Sequence, residues 1–212
     1  MEETLPAPLR QALQATTVGA TGVTRMVIDG LLEIAEDRSA LIAAADFMSS
    51  RLTGYAPLWH IGNAVRGDNP ADALVRIRAE LDESVRRTVR AAIDWVRERP
   101  GRVIFAPSSS IVAQVLAGLP DRTQHGPTAI GLAGADAIGP EQVLNIVGTA
   151  ELTENASVLI VTTSLKLVPK RIFDQLGAPV FEKIPLAAFA LVALDGEIIE
   201  PHEAGRRAAA LE

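Results

Sequence analysis

The hydrophobic period changes at Pro100-Gly101, and that change limits the fold more than any other feature of the chain. Ahead of it, apolar residues recur every three or four positions. Val23, Val27, Leu31 and Ile34 share one helix face, and Leu41, Ala44, Ala45 and Met48 mark a second helix. A longer run places Leu74, Ile77, Leu81, Val85, Val89, Ala92 and Val96 at the same spacing. Asn69-Pro70 suits its start, because Asn can accept a helix-end N–H and Pro at the first position has none to lose. Asp82 and Glu83 lie four residues before Arg86 and Arg87, the favourable order for ion pairs along a helix. The arginines between 76 and 99 are read as a solvated face rather than a basic binding patch.

Behind Pro100-Gly101, which stops the helix, the runs become short and continuously apolar. "RVIFA", "TAIGLAGA", "SVLIVTTS" and "FALVAL" read as buried strands, with helical stretches such as "SSSIVAQVLAGL" between several of them. This alternation predicts an α/β fold with a mainly parallel sheet covered on both faces. Asp195-Gly196 predicts a hairpin with an antiparallel edge, since both residues tolerate positive φ. "EAGRRAAALE" predicts a short terminal helix. The expected organisation is a helical N-terminal domain, residues 1–99, followed by a Rossmann-like domain, residues 100–212.

Composition removes several function classes. A net charge of −6 argues against a nonspecific nucleic-acid binder, which needs a basic surface. The chain has no cysteine, so a thiolate metal site or cysteine nucleophile is excluded. Its three histidines, His60, His125 and His202, are far apart in sequence, and no metal site is expected. The acidic start "MEETLPAPLRQ" lacks a signal-peptide core, and no apolar run has the length of a membrane span. A cytoplasmic protein without membrane contact is the expectation.

Ligands of parallel sheets bind at the carboxyl ends of strands. One such end is Pro107-Ser108-Ser109-Ser110, where the serines can cap a helix or join its free N–H groups in holding an anion. Another is Gly134-Ala135-Asp136, where the acid is a general base, a ligand for substrate hydroxyls or a turn residue. Asn145, Gly148 and Thr149 precede a helix-like run, where Gly permits a close backbone approach and Thr can cap. Lys166 follows a further strand end and either faces a phosphate or sits exposed at a helix start. The chain carries no G-x-G-x-x-G, no P-loop and no G-x-S-x-G, so no cofactor is expected and a serine hydrolase is disfavoured.

The order of motifs resembles the family that unites the α, β and δ regulatory subunits of translation initiation factor 2B with two sugar-phosphate isomerases. Those isomerases act on methylthioribose 1-phosphate and ribose 1,5-bisphosphate. "GATGVTRMVIDGLLEIA" is similar to an early helix of the family. "RLTGYAPLWHIGNAVRG" resembles R-P-T-x-x-x-L-x-N-A-x-R, with Arg51, Thr53, Asn63 and Arg66 in place. "VIFAPSSS" resembles I-L-T-H-[CS]-x-S, and "SLKLVP" and "FEKIPL" resemble the later K-F and E-x-I-P segments. "GADAI…VLNIVGTAEL" resembles G-A-D-x-I…V-x-N-K-x-G-T-x-x-L-A, the most specific match.

The resemblance implies a helical domain on a Rossmann-like domain of the ribose-5-phosphate isomerase and CoA-transferase type. It also implies a homodimer formed through the C-terminal domain. It places Ser108 and Asp136 where the isomerases carry a proton-moving cysteine and aspartate. Serine is far less acidic than a thiol and shuttles protons poorly without a base beside it. The family's Lys in N-K-x-G-T is Ile146 here, and its His in T-H is Pro107. Residues 111–133 leave room for one helix and one strand, so the family's E-x-R-P unit is expected to be missing.

Three functions follow as expectations. One is a noncatalytic relative that binds a phosphorylated small molecule, a sugar phosphate or a nucleotide, or a protein partner, with Ser109, Ser110, Asn145, Gly148, Thr149, Lys166, Arg51, Arg66 and Asn63 as candidate contacts. Another is an aldose–ketose isomerase using Asp136 as acid/base and Ser108 as an orienting hydroxyl. The third is an assembly role without a pocket.

Overall fold

The computed structural model describes residues 2–15, 18–107, 109–119 and 129–211. The helical half comprises α1 (Ala7–Gln14), α2 (Ala20–Leu32), α3 (Arg38–Arg51), α4 (Pro57–Arg66) and α5 (Pro70–Arg97). Asp37 starts α3 by accepting the N–H groups of Ser39 and Ala40, each at 3.0 Å. Pro70 occupies the first turn of α5 as expected, but the Asn69 side chain makes no capping bond. Fixed φ at Pro70 suffices to start the helix there.

The 28 residues of α5 give it a length of about 42 Å, and it serves two cores. Leu74 packs with Leu9, Val27, Leu31, Leu41, Met48 and Ile61 between the helices. From Leu81 onward it packs Val85, Ala92 and Val96 against the sheet. Asp82 does not pair with Arg86. It pairs back to Arg78 on its own helix and to Arg25 of α2, with an Nε–Oδ1 distance of 2.8 Å to the latter, while Arg78 also reaches Asp29 at 3.1 Å. Glu83 takes Arg86 and Arg87 instead. Arg76, Arg86, Arg87, Arg90 and Arg97 are exposed, as a solvated face requires.

The second half orders as β1 (Arg102–Phe105), α6 (Ser110–Ala117), β2 (Ala129–Ala133), β3 (Ala137–Ile138), β4 (Gln142–Ile146), α7 (Thr149–Asn155), β5 (Ser157–Thr162), α8 (Lys170–Phe173), β6 (Phe181–Pro185), β7 (Leu191–Leu194), β8 (Glu197–Ile199) and α9 (Pro201–Ala209). The main sheet runs β1-β2-β5-β7-β8, parallel through β7. The edge strand β8 is antiparallel to β7. Asp195 and Gly196 make that turn with φ of 52° and 96°.

Side chains alternate across the sheet as a two-residue period demands. Leu132, Leu159, Val161 and Ala193 face α5 and α6. Ala133, Val158, Ile160, Val192 and Leu194 face the other way, toward α7 and α9. The sheet is thus covered on both sides, and the α/β class with a mainly parallel sheet is as expected. Within residues 111–133, the described part is α6 and β2. A second, antiparallel sheet, β3-β4-β6, was not anticipated: it folds "GADAI" and "QVLNI" into a small hairpin and sets β6 beside β4. Among the described residues no helix is long and apolar enough to cross a membrane.

Candidate functional site

The carboxyl ends of β1, β2 and β5 meet the helical half at a cleft. Two of the hydrogen bonds between the halves lie beside it. The N–H of Ala56, entering α4, donates to the Asp136 carbonyl at 3.3 Å, and His60 Nε2 of α4 lies 2.8 Å from the Leu167 carbonyl. Burial pushes the His60 pKa down, against the bond to the Leu167 carbonyl, and so favours the neutral ring. The cleft holds a cavity of about 110 Å³.

Asp136 reaches the cavity because β2 ends at Ala133 and β3 begins only at Ala137. Its backbone N–H donates to Leu144 at 2.9 Å, which fixes the loop, and its carboxyl makes no hydrogen bond to a described residue. Lys166 enters from a 3-10 turn, Ser164–Lys166, that follows β5. It is 3% exposed, and its Nζ donates to the Ala135 carbonyl at 2.6 Å. Burial pushes the lysine pKa down and the nearby Asp136 charge opposes that; burial pushes the Asp136 pKa up and Lys166 opposes that. In both residues burial dominates, so the neutral forms gain. Tyr55 closes the wall from the helical side, its pKa raised by burial and then by the Asp136 charge.

Two helix N-termini open on the same cavity. Gly19 caps α2 without a side-chain bond, and the N–H groups of Ala20 and Thr21 have no partner among the described residues. At α6, Ser109 Oγ accepts from Val112 N at 3.3 Å, leaving the N–H groups of Ser110 and Ile111 without a described partner. Free helix-start N–H groups carry partial positive charge and favour anions. Gly134 permits this approach: a Cβ there would stand 2.6 Å from Ser109 Oγ.

The sequence candidates separate in space. Asp136, Ser109, Ser110, Asn145 and Lys166 line the one cavity. Ser108 lies outside the described residues. Gly148 and Thr149 build the turn behind the cavity: Gly148 has φ of 99°, and the buried Thr149 Oγ1 donates to Ile146 O at 2.8 Å while accepting from Asn145 Nδ2 at 3.0 Å. Glu182 of β6 completes the start of α7 by accepting from Ala150 N at 2.8 Å. Arg51 is exposed, 3.9 Å from Glu2 and near the Phe47 ring. Asn63 and Arg66 line a different cavity, of about 300 Å³, between α4 and the α8 region. Arg66 is held there by the Gly62 carbonyl at 2.7 Å and by Asp46.

Sequence reading missed Tyr55 and the α2 start. A lone tyrosine carries no pattern, but Gly19 directly before the helical run was a legible cap signal. Among the described residues no cluster of three His, Asp or Glu side chains could hold a metal.

No protein-family model matches the sequence, and no curated protein matches it. Solved structures do match over nearly the whole length. The translation initiation factor eIF-2B of Pyrococcus horikoshii OT3 is 13% identical, covering 92% of this chain and 96% of that one with a TM-score of 0.73. The tetrameric eIF2B-beta2-delta2 complex of C. thermophilum has a matching chain at 12% identity, covering 97% and 93%, also at 0.73. The 5-methylthioribose 1-phosphate isomerase of Pyrococcus horikoshii OT3 is 12% identical over 100% of this chain and 88% of that one, with a TM-score of 0.57. The chain therefore has the fold that its motif order resembles.

Proposed function

We propose that the cleft binds a short phosphorylated polyhydroxy molecule. The observation that carries this reading is the convergence of Lys166 and the N-termini of α2 and α6 on one cavity that also holds Asp136. The phosphate sits against the free N–H groups, where charge-assisted hydrogen bonds each contribute about 1.5–3 kcal/mol. Asp136 takes a ligand hydroxyl. A cavity of about 110 Å³ suits a few carbons and a phosphate better than a nucleotide.

Thermal denaturation with triose and pentose phosphates tests it. A ligand at a hundred times its Kd stabilises by about 2.7 kcal/mol. For a chain of this size that is a Tm rise of roughly 5–10 °C. The expected result is a rise with the phosphorylated compounds and none with their phosphate-free counterparts. No rise across the panel would overturn the reading.

The isomerase reading is favoured by one observation, the burial that raises the Asp136 pKa, against the opposing Lys166 charge, and so favours the form that can give up a proton. Against it stands the absence of any thiol. Deuterium uptake from solvent into ribose 1,5-bisphosphate or methylthioribose 1-phosphate would support it, and a substrate that stays unlabelled would sink it. Pairing of two copies through the C-terminal half belongs to the same proposal. Val147 and Val180 there are adjacent, with Val147 N donating to Val180 O at 3.0 Å, and are 58% and 59% exposed. Light scattering that returned only the monomer mass would exclude it.

A further inference from the structure

The sequence holds three lysines, and they have contrasting surroundings. Lys170 is exposed and pairs with Asp174 at 3.0 Å. Lys183 is exposed and donates to the Phe173 and Asp174 carbonyls at 3.3 Å. Lys166 is buried, lines the cleft, and is anchored by one hydrogen bond to the Ala135 carbonyl. An amine keeps the lone pair it needs for attack only when unprotonated, and burial moves Lys166 in that direction. Asp136 lines the same cavity with a carboxyl that no described residue engages, and its burial moves it toward the protonated acid.

We propose that Lys166 forms an imine with a small phosphorylated carbonyl compound held in the cleft, with Asp136 as the proton donor. This deepens the phosphate-binding reading and rests on it: the helix N-termini hold the phosphate, and the short cavity brings the carbonyl carbon to the amine. The Lys166 nitrogen adds to that carbon, and the carbonyl π electrons move to oxygen, giving a carbinolamine once a nitrogen proton has passed to the oxygen. The Asp136 proton then joins the carbinolamine hydroxyl, the C–O bond breaks, and water leaves. The nitrogen lone pair forms the C=N bond. A neutral amine, a neutral acid and a carbonyl thereby become a protonated imine, a carboxylate and one water, with no oxidant or reductant. The product charges are opposite and close in a site of low dielectric, where they stabilise each other.

The test uses the full chain with dihydroxyacetone phosphate near neutral pH, followed by sodium cyanoborohydride, and maps adducts on peptides. The expected result is one lysine adduct, on Lys166, with Lys170 and Lys183 unlabelled in the same sample. Phosphate-free dihydroxyacetone should label Lys166 at least roughly tenfold less, the ratio that about 1.4 kcal/mol of phosphate binding supplies. Denaturation of parallel samples without reductant separates the two readings. A Tm rise with no Lys166 adduct overturns the imine and leaves phosphate binding standing. Equal labelling of all three lysines also overturns the imine. No Tm rise and no adduct overturn both. The wild-type map decides the matter, so the outcome does not depend on whether a Lys166 variant folds.

Discussion

Lys166 Nζ donates to the Ala135 carbonyl at 2.6 Å, so the one buried lysine is tied to the residue directly before Asp136. The bond joins the loop after β5 to the loop after β2 beneath the cleft. Lys166→Met keeps most of the side-chain volume but leaves that carbonyl without its donor. An unsatisfied buried acceptor costs about 1–3 kcal/mol, and urea unfolding should show a loss in that range. If Lys166 is also the group that holds the ligand, the variant should lose the Tm rise with triose phosphate.

The pH dependence of stability should report Asp136. Its folded pKa is raised above the ordinary 3.8, so in the window just above that value the folded chain binds more protons than the unfolded one. Stability then falls as pH rises through that window. Lys166 has the opposite slope: its folded pKa lies below the ordinary 10.5, so stability rises as pH climbs through the window beneath that value. Asp136→Asn removes the acid-side fall. Its stability relative to the parent should be greatest near neutrality and shrink toward pH 4, measured by unfolding at a series of pH values. A difference that does not vary with pH would count against a raised Asp136 pKa in the folded chain.

Gly134→Ala tests the fit between the end of β2 and the start of α6. The new Cβ would stand 2.6 Å from Ser109 Oγ and 2.9 Å from its Cβ, closer than atoms pack. Ser109, the cap of α6, must then shift. Overpacking of this kind costs about 1–3 kcal/mol. Chemical denaturation should find that loss, together with weaker binding of any phosphate seated on α6.

The main sheet, α5 and the Asp195-Gly196 hairpin were legible because each rests on a local pattern: a period of 3.6, an apolar run, or a turn dipeptide. The small sheet was not. β3 has only two residues, and β4 pairs with β6, whose nearest partners are separated by 35 residues in the case of Ile146 and Phe181. Nothing local distinguishes such a pairing. The local sequence suits Lys166 equally to an exposed helix start, because its anchoring partner is Ala135, 31 residues earlier. Arg51 and Arg66 illustrate the converse. Their motif resemblance is local, but neither lines the cleft: Arg51 is exposed near Glu2, and Arg66 bonds Gly62 and Asp46 at a different cavity.

Thr149→Val separates a structural role for "NIVGT" from a ligand-binding one. Thr149 Oγ1 is fully buried, donates to the Ile146 carbonyl and accepts from Asn145 Nδ2. Valine matches its shape but has no hydroxyl, so both bonds are lost and the buried amide of Asn145 loses its acceptor. The expected cost is about 1–3 kcal/mol for that unpaired group. Thr149→Ser keeps the hydroxyl and should lose less. Because Thr149 stands behind the cavity wall, ligand stabilisation in the Val variant should weaken only as far as Asn145 shifts. A variant as stable as the parent would show that the bonds contribute nothing net, and the motif would then need a direct ligand contact to explain its residues.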